Sequence, residues 1–285
     1  MTLSFDSRNA KFLLVLTALL WSSGGWLIKS VGVGPLMVAG LRSLVTGIVL
    51  VLAFRPGLAW RDRSLWWGAA SYAATVISFV VATKWTSAAN AILLQSTAPV
   101  YVALFGGFFL GERIRALDLA TIGLVFVGML FFFGDELSLE GFRGNVIGLA
   151  SGFFFAWFIL ITRRFGQASP LGMIVVGNFL AAALALPFAL GGPAPGPSDW
   201  LALLALGVFQ LAIPYALYAR AIPHVRAIDA VLIVLIEPIL NPVWVFLFVG
   251  ERPGFLALVG GGIVLGAVTA RSIWLARTER SAATG

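Results

Sequence analysis

The chain of 285 residues carries 60% hydrophobic and only 11% charged side chains, against about 25% charged in an ordinary soluble domain. Its apolar residues come in long runs, which excludes both a single soluble core and the every-second-residue alternation of transmembrane β-strands. The net charge of +7 lies in short connections between those runs and not on a nucleic-acid-binding face, and the absence of cysteine removes disulfide and thiol chemistry.

The polar stretch 1–11 leads into an apolar run over 11–30 with no small-residue cleavage site, so it reads as a retained helix and not as a cleaved signal peptide. Runs of similar length follow at 36–54, 65–84, 89–110, 117–134, 145–163, 171–190, 200–219, 227–249 and 254–274. About 20 helical residues cross the hydrocarbon layer, so the sequence predicts an all-α polytopic membrane protein with ten transmembrane helices. The longest connections, 134–144 and 191–199, have turn composition and leave no room for a soluble domain.

Alternate connections differ in charge. One set, with both termini, holds Arg8, Lys11, Arg55, Arg61, Arg63, Arg113, Arg115, Arg163, Arg164, Arg220, Arg226, Arg271, Arg277 and Arg280, which is 14 residues; the other holds Lys29, Lys84, Arg143 and Arg252, which is 4. The positive-inside rule then places both termini of this multi-pass protein in the cytoplasm and requires an even number of spans.

The chain also repeats itself. Residues 88–128 align without a gap on 227–267, an offset of 139, with 12 of 41 pairs identical. The identities pair Ala91 with Ala230, Pro99 with Pro238, Gly123 with Gly262, and Phe109, Gly111, Glu112 and Arg113 with Phe248, Gly250, Glu251 and Arg252. Composition alone does not match Pro, Gly-Glu-Arg and Gly at one offset. The expected division is therefore a first five-helix repeat over 1–138 and a second over 139–285. Five is odd, so the second inserts upside down, an arrangement in which two halves rock about a site near the midplane.

Four features together resemble the EamA family of the drug/metabolite transporter superfamily, over nearly the whole chain. They are Trp21-Ser22-Ser23-Gly24-Gly25-Trp26-Leu27-Ile28-Lys29 in the first run, Arg42 early in the second, the Pro99 to Gly111-Glu112-Arg113 pattern, and Ile236-Glu237-Pro238 through Gly250-Glu251-Arg252. Within the family the chain is most similar to the YddG-type amino-acid exporters. The resemblance implies export of amino acids and related small metabolites across the bacterial inner membrane. The first run carries no acidic residue, so the glutamate-based drug antiport of the related small multidrug pumps is not implied.

Glu237 is the one acidic residue deep in any run, about ten residues, or roughly 15 Å, from the start of its span. A charge at that depth costs a few kcal/mol or more unless it faces a cavity or a partner. A hydrogen-bonded glutamate supporting a proline kink is the bland alternative. Its repeat mate is Ala98, so it breaks the repeat. Asn241 shares its face at i+4 and is either a substrate contact or a helix–helix hydrogen bond. Ser71, Thr75 and Ser78 form one polar stripe, and the offset places Gln210 and Pro214 at the positions of Ser71 and Thr75; together they mark a central wet cavity. Tyr101, Tyr215, Trp157 and Trp244 are candidate aromatic walls, while Trp60, Trp66, Trp67 and Trp200 read as interfacial belt.

Pro99, Pro214 and Pro238 fall near span centres, where each frees a carbonyl for a cavity or a kink. Arg42 reads as a gating or structural residue that either reaches a substrate carboxylate or snorkels to the outer interface. Asn90 and Asp229, repeat mates, read as helix caps. The single histidine, His224, gives no metal site, and no catalytic triad, phosphate loop, cofactor or nucleic-acid motif is present. The expected partners are a small-molecule substrate and membrane lipid; monomer and dimer stay open. The rival cargoes are a drug cation, another metabolite, or a nucleotide sugar, the last of which asks for several cavity-facing cations. The rival class, an intramembrane lipid enzyme, asks for an acid–base pair at depth that the chain does not show.

Overall fold

A computed structural model describes residues 7–112, 114–132, 141–165, 169–240 and 255–284. Among these, every regular element is a helix. In hydrocarbon, each backbone donor and acceptor needs a partner within the protein, and a helix supplies it locally. Seven helices are long and apolar enough to cross a membrane, and 116–131 and 258–271 are shorter apolar helices. The last part of the run at 227–249, from 241 on and with Asn241 and Trp244, lies outside the described residues.

The first run is not one helix. It divides into α1 (Ser7–Trp21) and α2 (Gly24–Ser30) at Ser22 and Ser23, whose hydroxyls donate to the Leu19 and Leu20 carbonyls at 2.6 and 2.9 Å. There follow α3 (Pro35–Phe54), with proline at its first position, and α4 (Arg63–Trp85). Asp62 caps α4, accepting from the Ser64 N–H at 2.8 Å. That bond holds the Asp62 carboxyl below the usual carboxylate range. Next come α5 (Ala88–Gln95), α6 (Ala98–Leu110), α7 (Ala116–Phe132), α8 (Phe142–Arg164) and α9 (Pro170–Ala189). Gly111, at φ +69°, ends α6 in the left-handed conformation that favours glycine.

The run at 200–219 starts earlier, as α10 (Pro197–Ala205), then widens into a π-helix (Leu206–Ala212) before α11 (Ile213–Ala221). The Ile213 N–H reaches back five residues to Val208, and Pro214 follows with no N–H to offer. After a 3₁₀ turn (Ile222–His224) come α12 (Ala227–Val234), a turn at Leu235, α13 (236–240) and α14 (Phe255–Thr284).

The repeat offset reappears in these bounds. Adding 139 to the ends of α5 gives the ends of α12, and the start of α7 gives the start of α14. Contacts follow it too. α3 packs antiparallel on α9, with Gly40 against Leu186 and Gly47 against Phe179; the offset sends Gly40 to Phe179 and Gly47 to Leu186, so each contact is the image of the other. α7 packs on α14, where a methyl added at Gly128 would lie 2.9 Å from the Gly260 carbonyl oxygen. Small residues that let backbones approach are how apolar helices associate in lipid. Gly262 and Gly266 meet nothing within 4 Å among the described residues.

α4 lies at the centre, against α8 and α9, with α1 on α11 and with α5 and α6 on α8. Ionic groups cluster at one end. Arg271 of α14 donates to Asp118 of α7 at 2.6 and 2.9 Å and to Asp229 of α12 at 2.7 Å. Glu112 accepts from the Arg163 Nε at 3.2 Å and from the Ala227 N–H at 3.1 Å. Thus Asp229 pairs with Arg271, and Asn90 is not the cap of α5: the Ser87 hydroxyl accepts from its N–H at 3.0 Å. The Asn90 amide instead donates to the Thr86 Oγ1 at 3.0 Å and to the Asn145 Oδ1 at 3.1 Å.

Candidate functional site

The interrupted helices converge on one cavity. Its wall takes Trp21 from the end of α1, Arg42 from α3, Thr75, Val76 and Phe79 from α4, and Gln95 from the end of α5. Phe155 of α8, Gln210 and Leu211 of the π-helix, Tyr215 of α11 and Glu237 of α13 complete it. The space open to the centre of a water molecule is about 30 Å3, room for about two waters. An amino acid needs more space than that.

Arg42 is 1% exposed. Its two terminal nitrogens donate to the Gln210 Oε1 at 3.2 Å and to the Val76 carbonyl at 3.1 Å, while its Nε has no partner. No carboxylate pairs with it among the described residues. It therefore does not snorkel; it is a buried cation held by neutral acceptors. The local fold explains its position. Thr46, one turn on, donates to the carbonyls of Arg42 and of Gly207, both at 2.8 Å, tying α3 to the π-helix. The wider π turn sets Gln210 against both Arg42 and Gly24, where an added methyl would lie 2.7 Å from the Gln210 Nε2.

Glu237 is half-buried, follows the Leu235 turn directly, and has no hydrogen-bond or ion-pair partner among the described residues. Gln95 ends α5 one break away, its Nε2 donating to the Ser151 Oγ at 2.6 Å. A cation and an acid with no ion-pair partner among the described residues thus line the same small space. An aromatic cluster closes one side: Tyr215 stands 4.8 Å from Trp21 and 4.7 Å from Tyr72, ring centre to ring centre.

Of the residues expected from sequence, Glu237, Thr75, Gln210, Tyr215 and Arg42 reach the cavity. Ser71 and Ser78 are buried but spend their hydroxyls on their own helix, donating to the Trp67 and Ala74 carbonyls at 2.9 and 2.5 Å. Tyr101 and Trp157 do not reach it; they pack on Phe153, at 5.6 and 6.3 Å between ring centres. Pro99 and Pro238 follow directly on the breaks in the α5–α6 and α12–α13 segments, and Pro214 follows the π-helix. Gln95 and Trp21 were missed. A lone amide four residues before Pro99 and the tryptophan opening the Ser-Ser-Gly-Gly break were the available signals; Val76, Phe79, Phe155 and Leu211 offered none in so apolar a chain.

A model of the EamA-like transporter family matches residues 9–134 and again 142–272. The chain belongs to that family. This EamA-like chain is 30% identical over 268 residues to an uncharacterized transporter of Archaeoglobus fulgidus, covering 92% of this chain and 95% of that one. It is 26% identical to the threonine/homoserine exporter RhtA of Escherichia coli K12 over 263 residues, 87% of this chain and 84% of the other. A solved crystal structure superposes with a TM-score of 0.80 at 23% identity, covering 95% of this chain and 98% of its own, a likeness of fold. The EamA-like chain is a multi-pass membrane transporter and not an enzyme, and the cavity just described is the natural place to seek its cargo.

Proposed function

We propose that this transporter exports neutral amino acids and related small zwitterions, aromatic ones included, across the bacterial inner membrane by alternating access. In this reading ten spans form two inverted five-helix halves, 1–138 and 139–285, with both termini cytoplasmic. Support comes from the recurring helix bounds, from the mirrored Gly40–Leu186 and Gly47–Phe179 contacts, from two successive family matches, and from relatives named as exporters of threonine and homoserine.

The observation that carries the cargo class is the pair of opposite charges in one cavity, Arg42 and Glu237, neither with an ion-pair partner among the described residues. A buried cation without a carboxylate is costly to keep, and a cargo carboxylate satisfies it. The ammonium of the same cargo satisfies Glu237, with Asn241, four residues on in the sequence, as a further polar contact in this reading. Thr75 and Gln210 supply polar backing, Tyr215 an aromatic wall, and the helix breaks at Pro99, Pro214 and Pro238 the joints that open the site. A nucleotide-sugar cargo fits less well, since Arg42 is the one cation on the cavity wall among the described residues.

The test is efflux of labelled threonine, leucine and phenylalanine from proteoliposomes. Glu237→Gln is expected to slow it at least tenfold at saturating cargo. Full activity in Glu237→Gln at every pH, or no amino-acid flux in the unaltered protein, removes the reading.

A further inference from the structure

A groove opens on the outside of the molecule between the second half of α3 and α11. Val49, Ala53 and Phe54 form one wall, and Ile213, Ala216 and Leu217 the other. Ala53, Phe54 and Ile213 are exposed, on helices long and apolar enough to cross a membrane, so the groove faces lipid. The space open to a water-sized centre is about 230 Å3, against about 30 Å3 in the cargo cavity. Its origin is the π-helix. α3 packs on that segment but parts from α11 beyond it, and the groove begins where the π turn ends.

Every side chain that lines the groove is apolar except one, Arg220. It lies seven residues after Ile213, roughly 10 Å further along the helix, in the last turn of α11. It is exposed and pairs with no carboxylate among the described residues, and no acid stands on the groove wall. Arg55, the residue that ends α3, follows the lining residue Phe54 directly. The groove is thus hydrocarbon along its length and cationic at one mouth. That mouth belongs to the end of the molecule where most of the basic residues lie.

We infer that this groove binds one anionic phospholipid, an acyl chain lying along the apolar walls and the phosphate on Arg220. An unfilled groove forfeits dispersion contacts along its whole lining, and a lipid chain restores them. The guanidinium fork matches phosphate oxygens, and a cation with no acid beside it favours lipids that carry net negative charge. The place of the groove gives its occupant a use. Ala212, which ends the π-helix, and Ile213, just before Pro214, both line it. A bound chain therefore lies on the joint whose wide turn sets Gln210 against Arg42. Occupancy steadies that joint, so anionic lipid raises flux. This consequence rests on the transporter reading above, but lipid binding stands alone.

Two measurements separate them. Purified protein in detergent is titrated with phosphatidylglycerol and with phosphatidylcholine of the same acyl chains, and bound lipid is read by native mass spectrometry. One firmly held phosphatidylglycerol per chain is expected, favoured over phosphatidylcholine about fivefold, the effect of one interfacial arginine. Arg220→Gln is expected to erase the preference. Ala53→Leu, which fills the groove and keeps the charge, is expected to weaken both lipids, and inorganic phosphate is expected not to displace them. Equal retention of the two lipids, a preference that survives Arg220→Gln, or a groove covered by a second copy of the chain in place of lipid overturns the site. Amino-acid efflux is then compared in liposomes of phosphatidylcholine with and without phosphatidylglycerol. The added lipid is expected to speed the unaltered protein at least threefold and to leave Arg220→Gln unchanged. Preferential binding with lipid-indifferent flux overturns the link to the joint. Absence of amino-acid flux in both lipids removes the transporter's proposed cargo and leaves the lipid site standing.

Discussion

Two buried arginines show how the same residue type serves opposite ends. Arg271 is 4% exposed and holds two carboxylates, Asp118 and Asp229. Its removal leaves Asp229 without an ion-pair partner among the described residues and Asp118 with only the 3.5 Å contact to Arg226, and breaking a buried pair costs about 3–5 kcal/mol in comparable cases. Arg271→Met is therefore expected to lower the melting temperature in detergent sharply, read by fluorescence-detected size exclusion. Arg42 is as deeply buried but neutralises nothing, so its removal strands no charge. Arg42→Met is expected to keep or raise the melting temperature while amino-acid efflux falls at least tenfold. Arg42→Lys, which keeps the charge but loses the planar fork, is expected to fall between, with KM raised more than kcat is lowered. Equal losses of stability in Arg42→Met and Arg271→Met would assign Arg42 to structure.

At the scale of elements, the cavity is made by interruptions. The proline-marked breaks at Ser96–Thr97 and Leu235 were legible in sequence, because Pro99 and Pro238 sit at one offset and proline cannot continue a helix's hydrogen bonding. The break at Ser22–Ser23 was present as Ser-Ser-Gly-Gly but was absorbed into one long apolar run. The π-helix left no mark apart from Pro214, and its contacts with Thr46 and Gly24 join residues far apart in the chain, beyond the reach of local residue preference. The Ser71–Thr75–Ser78 stripe was read correctly as a face but too generously as a site: in lipid a hydroxyl takes the nearest acceptor, the carbonyl one turn back. Tyr101 and Trp157 failed for another reason, as a ring's residue type does not say which neighbour it meets. Gly24 tests the π-helix geometry. The atom facing it is the mobile end of Gln210, so Gly24→Ala is expected to fold with an unchanged melting temperature, displace the amide from Arg42, and raise KM severalfold in the efflux assay.

For the molecule as a whole, the absence of cysteine makes topology directly measurable, since any introduced thiol is unique. Under the inverted ten-span reading, Ala194→Cys is expected to react with an impermeant maleimide added outside intact cells, and Ser281→Cys only after permeabilisation. Labelling of both from one side would break the even-numbered, two-half arrangement.

The charges that line the cavity have no images. The offset relates Glu237 to Ala98 and Arg42 to Ala181, a methyl in each case. Exchanging the two halves therefore reproduces the scaffold without reproducing its polarity. In the proposed cycle a zwitterion has its head and tail assigned on loading and keeps that assignment until discharge. The passenger crosses without a somersault.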